Sequence, residues 1–227
     1  MRAPAIGLVI GLLLSAAPAH AQQVRLAARA DCLARVVCGA GLRSAYGLDA
    51  SAALVPLSVA DAGISALDDG IAEVAVTSTS DPWLARSDIV TLSDDRRMFF
   101  PDHIVPVLRR GVPRTYGTRD IRRRLDAVSA ALTTSRLRTL NRAVVDGRLP
   151  EAVGGEFAEA IGFAGRERRR RGPRIDVGYM DTPENELLAH AYAGALRAGG
   201  YRVAVASVGG ARPEAVALLR RERVDLY

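Results

Sequence analysis

Residues 61–76 read DAGISALDDGIAEVAV, and this stretch decides the fold class. Asp61 is placed to cap a short helix carrying Ile64 and Leu67, and Gly70 ends it. Residues 71–76 then form a run that is apolar apart from Glu73, the pattern of a buried parallel strand. Working outward, residues 53–57 read as a strand before that helix, and 89–92 and 104–108 as two more after it. Residues 41–46 suit a short helix closed by Gly47. Strands alternating with helices predict an α/β layer structure.

A helical stretch follows. Ile121, Leu125, Val128 and Leu132 recur at spacings of four, three and four and share one face. Thr133 or Thr134 caps a helix carrying Leu137, Leu140 and Val144, and Pro150 opens a third with Phe157 and Ile161 inward. Residues 165–173, with Arg166, Arg168, Arg169, Arg170 and Arg171, lack an apolar anchor and read as a solvated linker. The α/β rhythm then restarts: strand 174–179, a helix from Pro183 to Gly199, strand 201–206, helix 214–219 and strand 223–227. Leu67, Gly70 and Glu73 have the spacing of Leu219, Glu222 and Asp225, so two lobes of similar construction are expected. The last strand ends the sequence without a turn, which reads as truncation.

The 227 residues are 49% hydrophobic and 25% charged, enough for one domain or two small ones. All 31 basic residues are Arg and the net charge is +6, a choice that fits a GC-rich coding sequence better than selection for phosphate. Arg2, the apolar run 6–14 and Ala19-His20-Ala21 make residues 1–21 a cleavable signal peptide, too short for a membrane span. No Cys follows the cleavage site to carry a lipid, so a periplasmic or secreted protein is expected. In that oxidising compartment Cys32 and Cys38 are expected to form a local disulfide rather than a metal or catalytic pair.

Several strings occur in a recognisable order: Asp31-Cys32 to Cys38, Gly41-Leu42, Tyr46-Gly47-Leu48, then Ala66-Leu67-Asp68-Asp69-Gly70 with Glu73-Val74. Ser80-Asp81-Pro82, Leu92-Ser93-Asp94-Asp95, Ile104-Val105-Pro106-Val107, Leu132-Thr133-Thr134 and Leu140-Asn141 follow. Together they resemble the second half of the substrate-binding proteins of glycine betaine, choline and proline ABC transporters. Val177-Gly178 to Glu184, Leu187-Leu188-Ala189, Val208-Gly209-Gly210 and Val224-Asp225-Leu226-Tyr227 resemble the same family's beginning. The pieces stand in inverted order, so the chain divides into 22–164, a linker at 165–173 and 174–227. Tandem copies that were cut and a permuted, incomplete protein both remain open.

The resemblance implies type II periplasmic-binding-protein-like lobes, partial or permuted, closing on a small zwitterionic or cationic solute beside an ABC permease membrane subunit. The sequence holds no Gly-x-Ser-x-Gly, no metal-binding His pair and no phosphate loop, so no cofactor, metal or catalytic residue is expected. The ligand-contacting positions it points to are Ser78, Thr79, Asp81, Asp102, His103, Asp181, Thr182 and Asn185. Ser78, Thr182 and the Asp102-His103 pair stand where the family often has aromatic or Tyr-Asn residues, so a complete aromatic cage is not visible.

Two rivals are set against this reading. Asp94-Asp95 with His103 offers an acid-base pair, but adjacent strand residues face opposite ways and would not converge. The Arg run offers nucleic-acid or anionic-surface binding, but no aromatics interleave for stacking, and nucleic acid is not expected as a partner. A remnant without function is the third alternative.

Overall fold

The computed structural model describes residues 24–58, 63–100, 103–165 and 170–227. The expected signal peptide, Asp61, Asp102, Arg166, Arg168 and Arg169 lie outside the described residues. No helix among the described residues is long and apolar enough to cross a membrane.

The first lobe is built on β1 (Leu26–Arg29), which pairs in parallel with β2 (Leu54–Leu57) on one side and β3 (Val74–Ala75) on the other. Between β1 and β2 lies α1 (Gly39–Gly41), which runs on as a wider turn over Leu42–Tyr46 and stops at Gly47, φ +69°. Between β2 and β3 lies α2 (Gly63–Asp68). Cys32 and Cys38 form a disulfide buried in this lobe's small core with Leu26, Ala28 and Ala50.

The middle of the chain is helical: α3 (Gly111–Tyr116), α4 (Thr118–Ala131), α5 (Thr134–Val145) and α6 (Pro150–Ala158). Ile121, Leu125 and Val128 of α4 are buried, as their spacing requires, and the Thr133 hydroxyl accepts from Arg136 N–H at the start of α5.

The second lobe repeats the plan with β4 (Ile175–Tyr179), α7 (Pro183–Ala198), β5 (Val203–Ser207) and α8 (Arg212–Arg220). Leu26 pairs with Leu54 and Val74; Val177 pairs with Val205 and bridges in parallel to Leu226. The likeness extends to single bonds. Arg25 O accepts from Glu73 N and Val74 N, while Arg25 N donates to the Glu73 carboxylate. Asp176 O accepts from Asp225 N and Leu226 N, and Asp176 N donates to the Asp225 carboxylate. Both helix-to-strand turns need a left-handed residue, supplied by Gly70 at φ +63° and by Glu222 at φ +57°.

The main core joins α4, α7 and β4, with Ile121, Val128, Ile175, Leu196 and Leu226 essentially sealed from water. α6 lies very close to α7 because Gly154 has no side chain; a Cβ there would sit 2.2 Å from Leu187 O.

Several expectations need correction. Residues 89–92 are not a strand: no described residue pairs with them, and Val90 and Leu92 are 81% and 72% exposed. Residues 104–108 and 223–227 are not regular strands either. They meet in one antiparallel bridge, Leu108 to Leu226, with Val107 and Tyr227 exchanging N–H···O bonds of 2.7 and 3.0 Å. Strand β1 carried too little apolar length to be recognised beforehand. Arg170 is not a solvated residue: its guanidinium donates to Gly199 O at 2.7 Å and Asp120 at 2.8 Å and stacks over Tyr201 at 4.6 Å.

Candidate ligand-binding cleft

A cleft of about 690 Å³ opens where the carboxyl ends of strands from both lobes approach the α4–α5 corner. That size falls within the ~300–1,000 Å³ usual for small-molecule sites. Parallel α/β sheets gather their ligand-facing loops at this end.

The first lobe contributes residues 78–80, which leave β3. The loop is held from outside by one face of α5. Arg138 Nε donates to Thr79 O at 2.6 Å, Asn141 Nδ2 to Ser80 O at 3.0 Å, and the Arg142 guanidinium lies 4.3 Å from the Trp83 ring centre. These residues are spaced i, i+3, i+4, so one helix face places them together. Asn141 also donates to the Glu184 carboxylate of the second lobe, tying the two walls.

Of the positions singled out in the sequence, Ser78, Thr79, His103 and Asn185 line the cleft. Asp81, Thr182 and Asp181 do different work. Asp81 is buried and its carboxylate accepts from Thr77 Oγ1 at 2.6 Å and Trp83 N at 2.9 Å, capping the turn Pro82–Ala85. Thr182 is the N-cap of α7, accepting from Asn185 N and from Asn185 Nδ2 at 2.6 Å. Asp181 accepts from Ser207 Oγ and fastens the β4 end to the β5 end.

Three aromatic residues that the sequence did not single out line the cleft: Tyr179, Tyr192 and Tyr227. Tyr192 OH and Ser129 Oγ are 2.9 Å apart, and burial pushes the phenol up from its usual range. Burial, reinforced by the nearby Glu186 and Asp181 carboxylates, likewise raises the Tyr179 phenol. Both rings therefore stay neutral at ordinary pH. Charge at the cleft comes from Glu184 and Arg212.

The Asp94 and Asp95 carboxylates do converge, against the strand argument, because residues 92–97 turn rather than extend. Both accept from Tyr46 OH, at 2.8 and 2.9 Å, and Asp94 also accepts from the Met98 and Phe99 N–H groups. Those backbone donors, Phe99 first, hold the Asp94 carboxyl below its usual range. The pair is a loop clasp outside the cleft.

The family described as the substrate-binding domain of the ABC-type glycine betaine transport system matches residues 14–160. The chain belongs to this family. Comparison with curated proteins gave no match. The glycine betaine transport family match spans the first lobe and the helical middle; residues 174–227 lie beyond it. Substrate-binding domains of ABC importers work outside the cytoplasm, capture small solutes and deliver them to a membrane permease.

Proposed function

We propose that this chain is the extracytoplasmic solute-binding component of an ABC importer for glycine betaine or choline-like osmoprotectants, acting by capture without chemical conversion. The observation that carries the reading is the cleft between the two lobes, lined by Tyr179, Tyr192 and Tyr227. A quaternary ammonium has no N–H, so hydrogen bonds cannot select it. Aromatic faces can, at roughly 0.5–2 kcal/mol per ring when water is excluded. Glu184, tied to Asn141, adds a negative charge for the cation. Arg212, at the first turn of α8, suits the carboxylate of a zwitterion. Ser78, Thr79, His103 and Asn185 supply polar contacts around the solute. Asp102 is retained as a ligand-side candidate from the resemblance alone, whereas Asp81, Asp181 and Thr182 act by shaping the loops.

Calorimetric titration of the whole chain with glycine betaine, choline, carnitine and proline tests the ligand class. Saturable heat is expected with at least one of them. Tyr179→Ala and Tyr227→Ala should each weaken binding by roughly 2- to 30-fold, the equivalent of one aromatic contact. Affinity unchanged by both substitutions overturns the reading.

A further inference from the structure

Parallel strands that direct their carboxyl ends at the cleft gather their amino ends at the opposite pole. In the second lobe the residues leading into three adjacent strand positions are all arginine: Arg202 before β5, Arg174 before β4 and Arg223 before the 224–227 segment. The pairing sets them side by side. Ile175 pairs with Val203, so Arg174 neighbours Arg202. Val177 bridges to Leu226, so three residues back Arg174 stands against Arg223. Neighbouring strands lie about 4.8 Å apart. Arg171 lies beside the row: Arg170 N donates to Gly200 O at 2.9 Å, two residues before Arg202, and Tyr116 OH donates to Pro173 O just before Arg174.

The acids at this pole are already engaged. Arg174 pairs with Asp176 at 2.6 Å, and Arg109 pairs with Asp225 and Glu222. Arg171, Arg202 and Arg223 are exposed and form no ion pair among the described residues. Like charges opposite one another across strands are unfavourable. The fold does not require them: in the first lobe the same register positions are Ser51 and Ile71, both uncharged.

We propose that this arginine pole docks on an anionic lipid bilayer, leaving the cleft at the far end of the same lobe open to solute. The charges stand side by side at the starts of neighbouring strands, a row that suits a plane of phosphates, and guanidinium groups bind phosphate well. Tyr116, the ring beside them, is half-buried with its hydroxyl committed to Pro173 O, and among the described residues no exposed aromatic ring stands in the row for bases to stack on, so nucleic acid fits less well.

The test is co-sedimentation of the full chain with vesicles of phosphatidylcholine, with or without roughly a third phosphatidylglycerol. Binding is expected only to the anionic vesicles and falls as salt is raised. Replacing Arg171, Arg202 and Arg223 together by Gln should weaken it about 100-fold, the product of the usual contribution of each basic residue near a charged membrane. Lys at all three should preserve it. Gln at Arg29, Arg35 and Arg43, exposed on the first lobe, removes the same formal charge elsewhere and should leave most binding intact. Equal binding to neutral vesicles, equal loss in both Gln triples, or retention on heparin without vesicle binding overturns the proposal.

Discussion

Asn141→Ala probes the tie between the two walls of the cleft. The amide donates to Ser80 O at 3.0 Å and to the Glu184 carboxylate. A bond to a neutral carbonyl contributes about 1 kcal/mol net, and one to a carboxylate about 1.5–3. The sum sets a ceiling near 4 kcal/mol. Glu184 faces the cleft, so water can replace the lost donor, and about 2 kcal/mol is the expected cost in stability. With a denaturant slope of about 2 kcal/mol per molar urea, the unfolding midpoint should fall by about 1 M. Glu184→Ala alone should cost less, and the double variant should show a coupling of about 1–2 kcal/mol. Solute affinity should fall in parallel, because the loop at 78–80 loses one of its anchors. Thr139→Ala, exposed on the same helix, should leave both properties within about 0.5 kcal/mol of the parent. A midpoint shift below about 0.2 M for Asn141→Ala, with no coupling to Glu184, refutes the idea that this amide joins the lobes.

Reducing the Cys32–Cys38 disulfide should destabilise the chain by about 2 kcal/mol, the value for closing so short a loop, read as a lower urea midpoint in dithiothreitol. An unchanged midpoint would contradict its stabilising role. Leu187 is fully buried where α6 meets α7, so Leu187→Ala should cost about 2–5 kcal/mol; a cost below 1 kcal/mol would mean that the packing there is looser than described. Burial, helped by the Asp120 carboxylate, pushes the Tyr201 phenol up to about 12, above its unfolded value near 10. The native state then holds that proton more tightly, so its stabilising effect is complete below pH 10 and is lost as pH rises from 10 towards 12. Tyr201→Phe should flatten the fall in stability across this window, and an unaltered profile would count against the assignment.

How much was legible beforehand follows from where the information lies. Helices α4, α5 and α7 declared themselves through apolar spacing and caps such as Thr133, because those signals are local. The likeness of the two lobes was visible in Leu67-Gly70-Glu73 against Leu219-Glu222-Asp225, because both turns demand the same backbone and the same acid to satisfy a strand N–H. Residues 89–92 misled because β-branched apolar residues mimic a strand, while only a partner strand can make one. The cleft was half visible. Ser78, Thr79, His103 and Asn185 lie on loops marked by family-like strings, whereas Tyr179, Tyr192 and Tyr227 look like ordinary strand and helix residues until the two lobes are brought together. Asp81 and Thr182 were singled out for ligand contact, yet polar residues at turn and helix starts are held first by their own backbone.

Equilibrium dialysis of the whole chain against radiolabelled glycine betaine, with unlabelled choline, carnitine and proline as competitors, tests the central claim most directly. Saturation at one solute per chain, abolished when Tyr179, Tyr192 and Tyr227 are all replaced by Ala, is the predicted result. No retained label at any concentration, together with no heat from the three competitors, contradicts a solute-capturing cleft.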